Sequence, residues 1–345
     1  METERYSSID LLRFVAAASV AFSHLVIVNK GININFEILS SISVEVFFII
    51  SGFVLAPQII NLIKKNSFYN YKIFLIRRWY RTIPLYLLSL ILISIILGKI
   101  FTLDFIKYSL FLQNFILPWL EDDYFSITWS LSVEEWFYII FPLFLILIFK
   151  IFRSKHSLNI IYACIFFIII IFLIRFNIAS DDDWGLNVRR VVIFRLDSIA
   201  FGFLLFFYKD RLKSTNFNKT FLFILLILFS IFVFHILKIN ATEINTFFQI
   251  IFHYVVAIWG LLMVLLFYLL NFSLKNPKII KINLYLGKIS YSIYLFHLII
   301  IYFISYFNFS LIYLVVLFSI SQVLISSILY KYFEKPILIS RPKYK

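Results

Sequence analysis

The chain has 345 residues, of which 62% are hydrophobic and 21% aromatic but only 14% charged, with a mean hydropathy of +0.96. A soluble domain carries nearly twice that charged fraction, so a soluble globular protein is excluded. Apolar runs long enough to cross a bilayer recur from end to end, and no short alternating segments appear among them. This predicts an all-α polytopic integral membrane protein and excludes a transmembrane barrel.

The net charge of +14 is not read as a nucleic-acid signal, because loop lysines and arginines that set topology at an anionic membrane face account for it. The one cysteine, Cys164, has no partner for an intrachain disulfide and reads as a small core hydrophobe. With seven glycines and seven prolines no flexible linker is visible, and 1–345 reads as a single membrane-embedded domain.

About ten transmembrane helices are predicted, at 8–29, 36–61, 82–98, 132–149, 158–175, 190–208, 220–238, 247–270, 285–306 and 311–331. The apolar segment 101–117 holds Asp104, Lys107, Gln113 and Asn114 and is read as interfacial or re-entrant. Loops on the side of the N-terminus carry 23 Lys and Arg and the opposite loops seven, with Arg13 and Arg195 inside spans. That bias places both termini in the cytoplasm and turns the acidic clusters at 121–123 and 181–183 outward. The first span offers no cleavage site at a workable distance and is expected to be a retained helix.

The first span contains the run RFVAAASVAFSH, residues 13–24. Arg13 and His24 lie eleven residues apart, which leaves them within about 20° on one helix face and roughly 16 Å apart along the axis. Asp10 adds a third polar group near Arg13. Such a stripe must face protein or a water-filled cavity. Taken singly, Arg13 could snorkel to the headgroups and His24 could be satisfied within the bundle.

Further along, Glu45 opens EVFFIISGF near the outer end of span two. Ser51 and Gly52 lie deeper, where they permit close backbone approach, lend a hydrogen bond, or simply pack helices. Arg77, Arg78 and Arg81 precede span three on the cytoplasmic side, with Arg78 and Arg81 on one helix face; an ordinary positive-inside loop is the competing reading. Glu134 and Glu135 open span four at the outer face, where dipole and capping effects compete with a chemical role. Arg195 and Asp197 stand just inside span six and read as an ion pair. His297, in the middle of span nine, is a second functional imidazole or a satisfied bundle histidine, and Glu334 reads as structural. No metal site is expected, since His156, His235 and His253 lack partners at ligand spacing.

The runs RYSSIDLLRFVAAASVAFSH, EVFFIISGF, RRWYR, WSLSVEEWFYIIFP, RLDSIAFG, SYSIYLFH and YFEKP follow one another over essentially the whole chain. In that order they resemble the membrane-bound acyltransferase-3 family, whose members move acyl groups, usually acetyl, from acyl-coenzyme A to exported glycans. Arg13 and His24 match the basic residue and histidine of that family's first helix, and Arg78 and Arg81 its arginine pair before the third. The resemblance implies a multi-pass protein of the bacterial inner membrane. It also implies acyl-CoA (acetyl-CoA) as co-substrate with no permanently bound cofactor, and a lipid-linked or surface glycan, such as an O-antigen, as acceptor. Some members carry a fused extracytoplasmic hydrolase-like domain. None is expected here, which leaves room for a separate extracytoplasmic transferase partner.

Acyl transfer to a hydroxyl needs a base, a donor site and help for the oxyanion. His24 is the candidate base, and Glu134 and Glu135 are candidates to orient it or the acceptor. Arg13, Arg77, Arg78 and Arg81 are candidates for the donor phosphates, which guanidinium forks match. Glu45, Ser51, Arg195, Asp197 and His297 complete the set as candidate substrate-binding groups. The rival reading is a multi-span transporter or glycan flippase. It is disfavoured because no inverted repeat is visible and the polar residues concentrate in spans one to four.

Overall fold

A computed structural model describes residues 5–31, 34–65, 67–116, 120–152, 157–178, 184–214, 219–240, 246–307 and 309–342. Among them all regular structure is helical: α1 (Ser7–Lys30), α2 (Ile34–Lys65), α3 (Phe68–Ile96), α4 (Leu103–Ser109), α5 (Trp129–Phe152), α6 (Ser157–Ile178), α7 (Leu196–Ser214), α8 (Lys219–Asn240), α9 (Thr246–Asn271), α10 (Pro277–Ser305), α11 (Leu311–Leu329) and α12 (Lys335–Ser340). A 3-10 turn, Ser126–Thr128, leads into α5, and π-helical turns occupy Trp184–Arg189 and Tyr330–Glu334. Eight helical stretches among the described residues are long and apolar enough to cross a membrane. The protein is an all-α, polytopic membrane protein.

Eight of the ten predicted spans coincide with these stretches. Span seven corresponds to α8, whose apolar part is described over Lys219–Phe232. Span six starts late. Residues 192 and 193 donate their backbone N–H groups to the carbonyls of Asn114 (2.8 Å) and Phe115 (3.2 Å) instead of to a helix, and α7 begins only at Leu196. The final turns of α7 carry Lys209, Asp210, Arg211 and Lys213, which lowers its hydropathy. The segment at 101–117 holds only the seven-residue α4, flanked by Phe101 and Phe111 at φ 64° and 57°, so it does not span. Span three was placed too short at its start: α3 begins at Phe68, because Lys, Arg and Tyr continue a helix as readily as they end an apolar run.

The chain divides into two compact units. The first comprises Met1–Ile50, Arg211–Glu243 and Val255–Pro336. Here α1 and α10 run parallel, with Asp10 against Gly287 near their N-terminal ends and His24 against His297 further on. A Cβ at Gly287 would stand 2.5 Å from the Asp10 Cβ and 2.6 Å from its Oδ1, so only glycine admits this crossing. The start of α1 has no side-chain cap of its own. Asn271, at the end of α9, supplies one: its Oδ1 accepts from Ser7 Oγ (3.2 Å) and the Ser8 N–H (3.3 Å). Gln322 of α11 donates to the Ile293 carbonyl (2.8 Å), and the Ser292 hydroxyl meets Glu334.

The second unit comprises Ser51–Asp210, Ile244–Tyr254 and Ile337–Lys345. Gly52 of α2 lies so close to α7 that a Cβ there would fall 1.8 Å from the Ile199 carbonyl oxygen and 2.8 Å from the Phe203 nitrogen. Outside the spans, Asp104 ties α4 to the following loop. Its carboxylate accepts from the N–H groups of Glu121 (3.3 Å) and Asp122 (3.0 Å) and from Lys107 Nζ (3.1 Å). Asp123 is held in turn by the Tyr108 hydroxyl (2.7 Å) and Arg190 Nη1 (2.8 Å). Burial alone would raise the Asp104 pKa, but the Asp122 N–H, Lys107 and the Glu121 N–H together hold it below the ordinary value.

Two outcomes follow from these contacts. Gly52→Ala must push α7 away at a backbone contact, at a cost of about 1–3 kcal/mol. A lower apparent melting temperature in detergent checks it, and an unchanged one would contradict the close approach. The Asp104 carboxylate, with its pKa lowered by folding, stabilises fully above the unfolded pKa of about 3.9. That contribution is lost as pH falls through the lower folded value. Asp104→Asn should therefore melt below wild type at pH 7, with a gap that closes in strong acid.

Candidate active site

The first unit brings together the residues singled out on the first helix. Ala16, Ala17 and Ala21 are buried and small, which lets α10 come close along α1. In the first turn Asp10 is buried, and its Oδ2 accepts from Arg5 Nε at 2.6 Å while Arg13 Nη1 stands 3.6 Å from Oδ1. Arg13, half-buried, is thus oriented by a carboxylate one turn before it. At the other end of the seam His24 Nδ1 lies 2.8 Å from His297 Nε2, and His297 Nδ1 lies 2.7 Å from the Tyr294 carbonyl oxygen. His297 is fully buried and His24 half-buried. The second imidazole expected in span nine is therefore the direct neighbour of the first.

The second unit gathers another polar set. Thr82, in the middle of α3, lies with its Oγ1 2.5 Å from Glu135 Oε1 and 3.1 Å from the Arg78 carbonyl oxygen. Arg78 itself reaches Gln58 of α2, close enough to Glu135 to act on its carboxylate electrostatically. Tyr138 donates to Glu134 Oε2 (2.8 Å), and Ser51 Oγ stands a loose 3.4 Å from the Tyr138 hydroxyl. This corrects the expected placement at opposite faces of the membrane. Arg78 is the eleventh residue of α3, and Glu134 and Glu135 are the sixth and seventh of α5, so both sets sit inside their helices and meet. Arg77 Nη1 donates to the Pro342 carbonyl (2.5 Å). Among the described residues, Arg81 has neither hydrogen bond nor ion pair with protein.

Three further placements differ from expectation. Glu45 is the twelfth residue of α2, 1% exposed and against Gly260 of α9, so it lies well inside the helix rather than near its end. Arg195 precedes α7 in a turn, since the helix starts one residue later. Asp197 is paired with Arg175 at the end of α6, whose Nη2 stands 2.8 and 2.7 Å from its two oxygens, and not as expected with its near neighbour Arg195. Tyr254 adds a hydroxyl to Asp197 (3.1 Å) and a ring face to Arg175, 5.3 Å away. Arg195 turns to His253 Nδ1 and lies over the Trp129 ring at 5.8 Å. Cys164 is buried, with its thiol 3.6 Å from the Ala200 carbonyl. His156 and the cluster at 181–183 lie outside the described residues, as does the side chain of His235.

Sequence reasoning missed Arg175, Thr82, Gln58, Tyr138 and the Arg195–His253 contact. Arg175 did carry a signal, a cation inside an apolar run, which demands a buried partner. Arg175→Met strands the Asp197 carboxylate in the interior and should cost about 3–5 kcal/mol. The expected readout is loss of folded protein in detergent, with substantial recovery when Asp197→Leu is added; equal loss in single and double variants would contradict the pairing.

A family profile described as an acyltransferase domain, acyltransferase 3, matches residues 6–331. An uncharacterized protein of Haemophilus influenzae is 33% identical over 193 residues, which cover 51% of this chain and 78% of that protein. The peptidoglycan O-acetyltransferase OatA of Listeria monocytogenes is 29% identical over 169 residues, covering 43% of this chain but only 26% of that longer protein. No solved structure matches. The motifs and the match along nearly the whole chain agree: the protein belongs to the acyltransferase 3 family of membrane acyltransferases.

Proposed function

We propose that this protein takes an acyl group, acetyl in the first instance, from acyl-coenzyme A at the cytoplasmic face of a bacterial inner membrane and passes it to a hydroxyl of a lipid-linked or surface glycan. The observation that carries this reading is the enclosed imidazole pair of α1 and α10, on the same helix as the Asp10-oriented Arg13. Paired imidazoles suit a proton-transfer reaction, and the family match favours acyl transfer over carriage. The Listeria relative is a peptidoglycan O-acetyltransferase by name, which supports a glycan hydroxyl as acceptor.

In this reading His24 removes the proton of the acceptor hydroxyl as its oxygen attacks the thioester carbonyl. The C–S bond breaks, the sulfur of coenzyme A leaves with the electron pair and the proton follows it, so one ester and one free thiol are formed. Arg13, on the same helix as His24, holds the donor phosphates. Glu45 contacts the acceptor, with His297 holding the surrounding structure in place. The same chemistry serves an acceptor on a separate extracytoplasmic transferase.

The purified protein in lipid should release free coenzyme A from acetyl-coenzyme A when glycan is added. His24→Ala should lower kcat by about 10²–10⁴-fold with little change in KM for the donor, whereas Arg13→Ala should raise that KM with kcat nearly unchanged. Movement of glycan across the bilayer without thioester cleavage would replace this reading with that of a carrier.

A further inference from the structure

We infer that His297 is a positioning residue that fixes the tautomer of His24, so that the nitrogen carrying the lone pair for proton abstraction is His24 Nε2. The inference rests on the reading of His24 as the base. It starts from an acceptor whose character is not in question. His297 Nδ1 lies 2.7 Å from the Tyr294 carbonyl oxygen, and a carbonyl only accepts, so Nδ1 carries the hydrogen. A neutral imidazole has one N–H, which leaves His297 Nε2 as a lone pair. That lone pair points at His24 Nδ1, 2.8 Å away, and the contact is a hydrogen bond only if His24 Nδ1 is the donor. Neutral His24 then presents its lone pair at Nε2.

The geometry of the two rings supports a directed bond. Their planes differ by 5° and their centroids are 5.0 Å apart. Face-to-face rings keep their atoms about 3.5 Å or more apart, so a 2.8 Å approach between ring nitrogens means that these rings lie edge to edge, nearly in one plane. In that arrangement the N–H of one points along the in-plane lone pair of the other. His297 is 0% exposed, and among the described residues no carboxylate stands within ion-pair distance of it. Protonating His297 would place a cation in the interior beside His24, which favours the neutral form that the hydrogen count requires.

Tyr294, which supplies the carbonyl, is fixed as well: it is buried, and its ring packs edge-on against Phe47 at 5.6 Å. The order Tyr294 carbonyl, His297, His24 is therefore a chain in which each member sets the proton position of the next. The logic is that of an orienting group behind a catalytic histidine, with a backbone carbonyl and a second imidazole where a carboxylate more often stands.

The test separates this role from simple packing. His297→Leu keeps the volume and removes the acceptor; His297→Gln keeps an acceptor oxygen at similar reach. His297→Leu should lower kcat by about 10- to 100-fold, the scale of losing an orienting contact, with KM for acetyl-coenzyme A within about twofold of wild type. His297→Gln should recover most of that loss. Nitrogen-15 NMR of ring-labelled histidine in the wild-type protein, with the His24 signals assigned by comparison with His24→Asn, should show His24 protonated at Nδ1 and bare at Nε2. Wild-type kcat in His297→Leu, or a spectrum with His24 protonated at Nε2, overturns the inference. The spectrum decides it even where the leucine variant fails to fold. Absence of coenzyme A release by the wild-type protein would instead overturn the acyltransfer reading, leaving the proton positions to be read from the spectrum independently.

Discussion

The close contact of α1 with α10 at Asp10 and Gly287 is the constraint on which the first unit depends. Lipid gives two apolar helices little reason to associate, so their contact has to be built from small residues and polar pairs. The missing side chain of Gly287 gives Asp10 room at the seam, and the alanines of α1 keep the two backbones near one another as the helices rise. Asp10 in turn orients Arg13, and Asn271 closes the open end of α1. His24 and His297 can meet because the contact begins where it does and both helices run the same way.

The second unit solves a different problem, that of carrying many charges inside an apolar protein. Its solution is pairing. Arg175 pairs with Asp197 through Nη2 and shares Tyr254 with it, Glu135 has Thr82, Glu134 has Tyr138, and Arg78 has Gln58. A buried ion pair of this kind adds little net stability but is costly to break. RLDSIAFG therefore carries two contacts: Asp197 holds the end of α6, and the backbone at Ile199 and, just past the motif, Phe203 is where α7 meets Gly52. Arg81 differs from these in keeping its guanidinium clear of protein partners among the described residues.

Much of the architecture was legible in the sequence because hydropathy and helix length are both dictated by the bilayer. The first span was readable from its hydropathy, and the non-spanning segment around Asp104 from the polar residues that interrupt it. What failed were depths and partners. Hydropathy marks where a chain crosses lipid, not where its helix ends, so α3 starts well before its apolar run and Arg78 falls inside it. Glu45, Glu134 and Glu135 stand near the ends of apolar runs yet lie inside their helices, where Gly260 leaves room for Glu45 and Thr82 donates to Glu135. Arg195 and Asp197, two apart in sequence, look like a pair, but a helix begins between them and sends Asp197 to Arg175. The pairing of His24 with His297 joins residues 273 positions apart, and no spacing rule reaches that far.

The central claim is that chemistry occurs at the α1–α10 seam. An experimental structure of the protein in lipid with an acetyl-coenzyme A analogue whose sulfur is replaced by a methylene tests it most directly. The acyl carbonyl should lie beside His24, with a hydroxyl-sized gap between it and the ring edge that carries Nε2. An acyl end resting elsewhere, or a His24 ring turned out toward lipid, would contradict it.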